Sequence, residues 1–311
     1  MTRILVAAPQ DALAAIEPLL KVYRQRFNLT VYDIGNSLPD QQQLVLLSVK
    51  QDALLLISNR QYAPRTVLTG PFIEREDREN IPAAWLPYTT NEALQCFASN
   101  AAVVHKRQYP KNNTSAVLGQ WNRKYLNLAD RIEALLNDAN LINQHTFRWT
   151  SDYLIREDMV EGLNTGLAMA IYVGHGRPVG WVGYRGTRSH HFDNKASKPM
   201  GALFSLCCET ASRKRNGLSF SEAMPLLGQA AACFGAVDKS LHIDNVRWAT
   251  GICQGLKMGH TNIGELLKAA MPSAPSSLSR YRILGDPLAP LVADESSYSM
   301  GMQVGVYNEV L

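Results

Sequence analysis

Short apolar runs rich in branched and small residues recur along the chain, over 4–7, 29–32, 53–57, 116–118, 168–173, 202–206 and 230–237. Each has the length of a buried strand. Between them, 11–26 carries apolar residues at helical spacing, and 125–139 repeats that pattern with Asp130 and Glu133 on the outward face. Strands alternating with helices predict a largely parallel sheet whose crossover helices cover its faces. Further along, Ser219 opens a helix over 219–227 that Pro225 limits or kinks, and more helix follows over 252–257 and 262–270. The stretch 272–279 reads as a loop, 280–284 as a short strand ended by the Gly285-Asp286-Pro287 turn, and 302–307 as a last edge strand. The polar segment 108–115 links two halves, giving a smaller α/β subdomain over 1–110 and a larger one over 111–311.

Two of the apolar runs end in reactive side chains. One reads Ala170-Ile171-Tyr172-Val173-Gly174-His175-Gly176, the other Ala202-Leu203-Phe204-Ser205-Leu206-Cys207-Cys208-Glu209-Thr210. Parallel strands present ligand-facing groups at their carboxyl ends, so a histidine closing one strand and a cysteine closing the next can meet there. A nearby imidazole accepts the thiol proton or stabilises the thiolate, which is the attacking form. Cys207 and Cys208 point to opposite faces of a strand, so at most one of them faces the histidine. Gly174 and Gly176 remove side chains where a substrate must approach, and the amides of Gly176 and Cys208 are candidate donors to an oxyanion. That combination describes acyl transfer, most simply peptide-bond hydrolysis. Each residue also has a bland reading, since a histidine between glycines can be a turn residue and a strand cysteine is usually a small buried apolar group. Their joint placement at successive strand ends favours the catalytic one.

These residues resemble the caspase-like clan of cysteine peptidases and, within it, the gingipain-type branch. Tyr172 to Gly176 followed by Trp181 looks like that branch's histidine motif, and 202–209 is similar to the clan's apolar strand ending in the nucleophile, which aligns with Cys208. Weaker similarity covers 4–33, 84–92, 219–236 and 284–287, most of the chain in order. The resemblance implies a three-layer sandwich with a mainly parallel sheet flanked by helices, preceded by a smaller α/β subdomain. It also implies a cysteine endopeptidase acting on proteins or peptides through a Cys208–His175 dyad and an acyl-enzyme. The chain departs from the pattern where relatives carry an acidic residue supporting the histidine. Here Gly119-Gln120-Trp121-Asn122 follows the strand 116–118, so Gln120 or Asn122 is left to orient His175 through an amide, with Asp152 and Asp158 as less well aligned substitutes. That departure motivates the alternative reading, a catalytically weak or inactive scaffold of the same fold. Candidates for substrate contact are Trp181, Glu209, Asp238, Asp244 and Trp248, the last better read as an aromatic packed in the core. The resemblance admits calcium and basic specificity, but no ligand spacing supports the metal and no acidic residue is assigned to a specificity pocket.

The remaining features narrow the classes. His190-His191, near Asp193, lacks metal-ligand spacing with Cys207 and reads as a loop over the cleft. Neither a Walker loop, a dinucleotide fingerprint nor a Gly-x-Ser-x-Gly elbow occurs. The 311 residues are 46% hydrophobic and 19% charged, with a net charge of +4, which excludes a disordered chain and argues against nucleic acid. Arg213-Lys214-Arg215 is the one compact basic group near the motifs and reads as a solvated loop. Five cysteines without paired spacing, no membrane-length apolar run and no signal-like opening segment suggest a cytoplasmic protein, controlled by a regulatory partner instead of a long prodomain.

Overall fold

The computed structural model describes residues 1–35, 37–61, 68–108, 113–138, 144–192, 198–214 and 217–305. Its centre is one sheet built from strands β1 (Arg3–Ala8), β2 (Asn28–Asp33), β3 (Ala53–Asn59), β4 (Phe72–Glu74), β5 (Asn80–Tyr88), β6 (Asn113–Gly119), β7 (Gln144–Arg148) and β8 (Met169–Val173). Three two-residue strands, β9 (Gly176–Arg177), β10 (Gly180–Trp181) and β11 (Thr187–Arg188), make a separate small antiparallel sheet. The large sheet is completed by β12 (Met200–Leu206), β13 (Ala230–Ala236) and β14 (Tyr281–Gly285), in the order β2-β1-β3-β5-β14-β13-β12-β8-β6-β7, with β4 on β5. Most pairings are parallel, as the alternation of strand and helix requires. Both proposed halves contribute to this one sheet. The segment between them, 109–112, lies outside the described residues, and 113–115 already belongs to β6.

Side chains alternate across the pleat, so each strand feeds two cores. Val117, Ile171, Val173, Phe204 and Leu206 pack into one apolar layer. Leu118, Ala170, Tyr172, Leu203 and Cys207 pack into the other. This double burial explains why the strands read as continuous apolar runs, and it yields the three-layer architecture.

Several boundaries differ from the sequence reading. The helix foreseen over 11–26 is two helices, Gln10–Ala15 and Glu17–Arg26, because Pro18 cannot donate to the preceding turn and restarts the helix after Ile16. The helix Phe220–Leu226 begins with a Ser219–Glu222 capping box and tolerates Pro225 near its end. Helix His242–Lys257 starts ten residues before the predicted segment, while 272–279 winds into the short turns Met271–Ser273 and Pro275–Arg280. The last edge strand is overturned: Ser297–Gln303 is helical, and 306–311 lies outside the described residues. The alternation at 302–307 was too short to outweigh a helical turn. Strand β5 was masked in the sequence by Pro82 and Pro87, which remove ladder donors; it keeps its register with β3 and meets β14 through the single bridge Ile283–Ala84.

Candidate active site

Register, more than proximity in sequence, assembles the site. Strands β8 and β12 are parallel neighbours in which Val173 pairs with Leu206, so His175 and Cys208 each lie two residues past the same rung. On the other side of β8, Gly119 of β6 pairs with Val173, which brings Gln120 beside the histidine loop. Beyond β13, the flank of β12 away from β8, the chain reaches Ser240.

Glycines make the approach possible. A Cβ on Gly176 would fall 2.3 Å from the Cys208 carbonyl oxygen and 2.6 Å from the Cys207 Sγ. One on Gly174 would fall 2.3 Å from the Tyr172 hydroxyl and 2.9 Å from Gln120 Cβ. The histidine loop therefore packs directly onto the cysteine backbone. In the β9–β10 hairpin the Val182 N–H donates to the His175 carbonyl, which places Gly176 opposite Trp181 at a non-hydrogen-bonded rung. The Gly176 N–H is thus turned away from its strand partner.

The His175 backbone is pinned at both ends. Its N–H donates to Gln120 Oε1 at 2.7 Å, and its carbonyl accepts from the Tyr172 hydroxyl at 3.0 Å. Its exposed ring meets Tyr125, whose hydroxyl lies 3.3 Å from Nε2 and 3.5 Å from Nδ1 in an edge-to-face contact. Burial, and then the two neighbouring thiols, push the Tyr125 pKa up, so this hydroxyl keeps its proton. His242 packs edge-on against the same tyrosine at 5.8 Å, and burial followed by Lys124 lowers its pKa.

The two cysteines divide as the pleat demands. Cys207 is fully buried, and burial with the adjacent Cys208 drives its pKa far above the ordinary thiol range. Cys208 is partly exposed; its sulfur receives the Ser240 N–H at 3.4 Å, and its thiol faces the Ser240 carbonyl at 3.6 Å. A backbone N–H aimed at sulfur stabilises negative charge there.

Other sequence candidates are placed differently. Gln120 acts on the histidine main chain and not on the ring, whereas Asn122 caps helix Arg123–Asn137 by accepting from the Lys124 N–H, so of the two amides only Gln120 contacts His175. Asp152 faces Arg148 at 3.8 Å. Trp181 is buried, donates to Ser205 Oγ and stacks on Tyr172 at 4.4 Å, so it supports the histidine strand from within the core. Trp248 is likewise core, donating to Ser277 Oγ. Asp244 is buried in the first turn of its helix and paired with Arg280 at 2.9 Å, leaving no free charge to read a basic side chain. Glu209 and Asp238 both pair with Lys214, at 3.4 and 2.8 Å. Arg213, expected in solvent, is buried against Trp85 and paired with Glu222.

His190 and His191 line a separate cleft of about 650 Å³ with Arg156, Glu157 and Glu161, while Asp193 lies outside the described residues. Among the described residues no group of three or more His, Cys, Asp or Glu side chains is placed to hold a metal ion. Sequence reasoning missed Tyr125 and Ser240. The available signal for Tyr125 was Asn122, whose cap position fixes where the helix starts and hence which residue its first turn turns toward the strand ends.

The model of peptidase family C25 matches residues 86–292. No curated protein sequence matches the chain. Among solved structures, the Arg-specific cysteine proteinase gingipain R superposes with a TM-score of 0.78 at 14% identity, covering 93% of this chain and 78% of that one. The complex of the pro- and mature domains of the Porphyromonas gingivalis protein gives 0.77 at 16% identity, covering 93% and 79%. Both are similar in fold to this chain.

Proposed function

Because the chain belongs to peptidase family C25 and is a cysteine-type endopeptidase, we propose that Cys208 is its nucleophile and His175 its proton-transfer group. The observation that carries this reading is the shared rung: Val173 and Leu206 pair, and each reactive side chain follows two residues later. Cys207 cannot serve, being sealed in the core on the opposite face.

His175 takes the Cys208 proton, and the sulfur, steadied by the Ser240 N–H, attacks the scissile carbonyl carbon. A C–S bond forms as the carbonyl π pair moves to oxygen. The resulting oxyanion is held by the N–H groups of Gly176 and Cys208, donors fixed before reaction and needing no reorganisation. The imidazolium then gives its proton to the leaving amine, the C–N bond breaks, and the acyl-enzyme remains. Water, deprotonated by His175, attacks the thioester; the thiolate leaves and the acid departs.

In place of a carboxylate, two groups orient the histidine. Gln120 fixes its backbone and Tyr125 restricts its ring. Tyr125 is a positioning residue in this scheme. The test is turnover of a mixed peptide library: Cys208→Ala and His175→Ala abolish cleavage with the fold intact, and Cys207→Ala retains it. Activity surviving in Cys208→Ala overturns the assignment.

A further inference from the structure

The small sheet that follows His175 carries three exposed arginines with no assigned task. Arg177, Arg185 and Arg188 line one cleft of about 270 Å³, floored by Val179, Gly180 and Trp181. Among the described residues, no carboxylate lies within ion-pair distance of any of the three guanidinium groups. By contrast, Arg3, Arg24, Arg75, Arg148, Arg156, Arg213 and Arg280 each hold an acidic partner. Three like charges with no carboxylate partner among the described residues make a focused positive field in this concavity.

The backbone that presents them is constrained. Tyr184, Arg185 and Gly186 are consecutive left-handed residues, with φ of 55°, 60° and 88°. Residues with side chains avoid that region unless the surroundings impose it, and such strain concentrates at functional sites. Here the Tyr184 hydroxyl donates to the Trp149 carbonyl, and the preceding Gly183 N–H donates to the Tyr172 hydroxyl. Arg185 is thereby held at the tip of the turn, above the cleft. Gly180, with φ of 147°, brings β10 so close to β11 that a Cβ would sit 1.9 Å from the Thr187 carbonyl oxygen. That approach draws Arg188 toward Arg177 across the hairpin strands.

We infer that this cleft binds an acidic side chain of the peptide substrate, on the segment C-terminal to the scissile bond. The inference rests on the Cys208–His175 reading above. His175 protonates the leaving amine, so the leaving segment departs on the histidine side, where β9 begins. Arg177 lies two residues beyond His175, about 7 Å along an extended backbone, which matches the second or third substrate residue after the cut. Guanidinium groups bind carboxylates through paired charge-assisted hydrogen bonds. Near the nucleophile the acidic side chains Glu209 and Asp238 both pair with Lys214.

The test uses three peptides built on one cleaved sequence, with Asp-Asp, Asn-Asn or Lys-Lys at the second and third positions after the cut. Wild type cleaves the Asp-Asp peptide with kcat/KM about tenfold above Asn-Asn, the scale of one charge-assisted contact, and Lys-Lys is slowest. Combined Arg177→Gln and Arg188→Gln bring the three rates within about twofold of one another while urea stability is unchanged. Equal rates in the wild type, or an acidic preference that survives in the double variant, overturn the proposal. So does a preference that appears only when the acids precede the cut. Binding of the same peptides to Cys208→Ala, read by fluorescence anisotropy, separates this claim from the one it rests on. Preferential binding of Asp-Asp with no turnover by wild type contradicts the catalytic assignment alone, and equal binding contradicts the acidic cleft.

Discussion

The two halves of the sheet are built alike and used differently. Strands β1, β3 and β5 form a parallel set in the N-terminal half, as β6, β8, β12 and β13 do in the C-terminal half, interrupted between β6 and β13 by no antiparallel pairing. Where the first set ends, Tyr88 donates to Asp11 at 3.4 Å beside Asn59, around a hollow of about 70 Å³. Where the second ends, Gly174-His175-Gly176 lies on Cys207-Cys208. Parallel strands alone supply a rim, and chemistry arises where glycine lets two backbones close enough for an imidazole and a thiol to share it. The N-terminal half contributes support instead. Arg60, just past β3, donates to the Gly217 carbonyl in the loop after Cys208, and Trp85 of β5 stacks under Arg213 of that loop.

The sharpest break of this contrast is a pair of substitutions. Cys208→Ala lowers kcat by roughly 10⁴-fold or more, the scale seen when a nucleophile is removed, whereas Tyr88→Phe changes it less than about twofold. Comparable losses in both, measured on one peptide, would erase the distinction. Next in size is Gly176→Ala. Its methyl group must displace the Cys208 carbonyl or the Cys207 sulfur, so kcat falls by about 10²-fold or more, and overpacking costs about 1–3 kcal/mol of stability. Near-normal activity with normal denaturant stability would show that the close approach is dispensable.

A smaller effect is expected from Tyr125→Phe, which keeps the ring and removes the hydroxyl near the imidazole. kcat falls about tenfold, the worth of one hydrogen bond, and its pH profile moves while KM and thermal stability hold. A loss of stability with an unmoved profile would assign Tyr125 to packing alone. The smallest effect is alkaline. Burial raises the pKa values of Cys207, Cys233 and Cys253, the last to about 12. Their unfolded values are lower, so the unfolded chain releases these protons first. The stability they contribute is full below an unfolded pKa near 9.0 and is lost as pH rises toward the folded values. Urea unfolding at pH 7 and pH 10 should show a decline, smaller in Cys233→Ala; equal stability at both would contradict the burial.

The strand ends were legible because they rest on local patterns: an apolar run, then Gly-His-Gly or Cys-Cys. Their pairing was inferred from the rule for parallel sheets, and the structure supplies the register that no local pattern encodes. Trp181 was misjudged because an aromatic near a motif in sequence can still point into the core, a matter of which face the fold covers, whereas Trp248 is buried as its core reading had it. Asp244 was read as a substrate contact because relatives place a substrate-binding loop after the strand 230–237; it lies instead in a helix that begins at His242 and contains Gly251 and Gly255. Both glycines lie where helix His242–Lys257 packs tightly on helix Ile263–Ala270, with a Cβ on Gly251 coming within 2.9 Å of Ala270. Tyr125 stands fifty positions from His175, and a contact of that separation leaves no periodic trace.

The central claim is that one thiol, at the shared rung with His175, does the chemistry. Stoichiometric reaction with a peptide-directed electrophile, mapped by mass spectrometry, tests it most directly. The account predicts a single adduct on Cys208, none on Cys207 even at pH 9, and a labelling rate that collapses in His175→Gln. An adduct on Cys207, or labelling of Cys208 indifferent to the loss of His175, would contradict it.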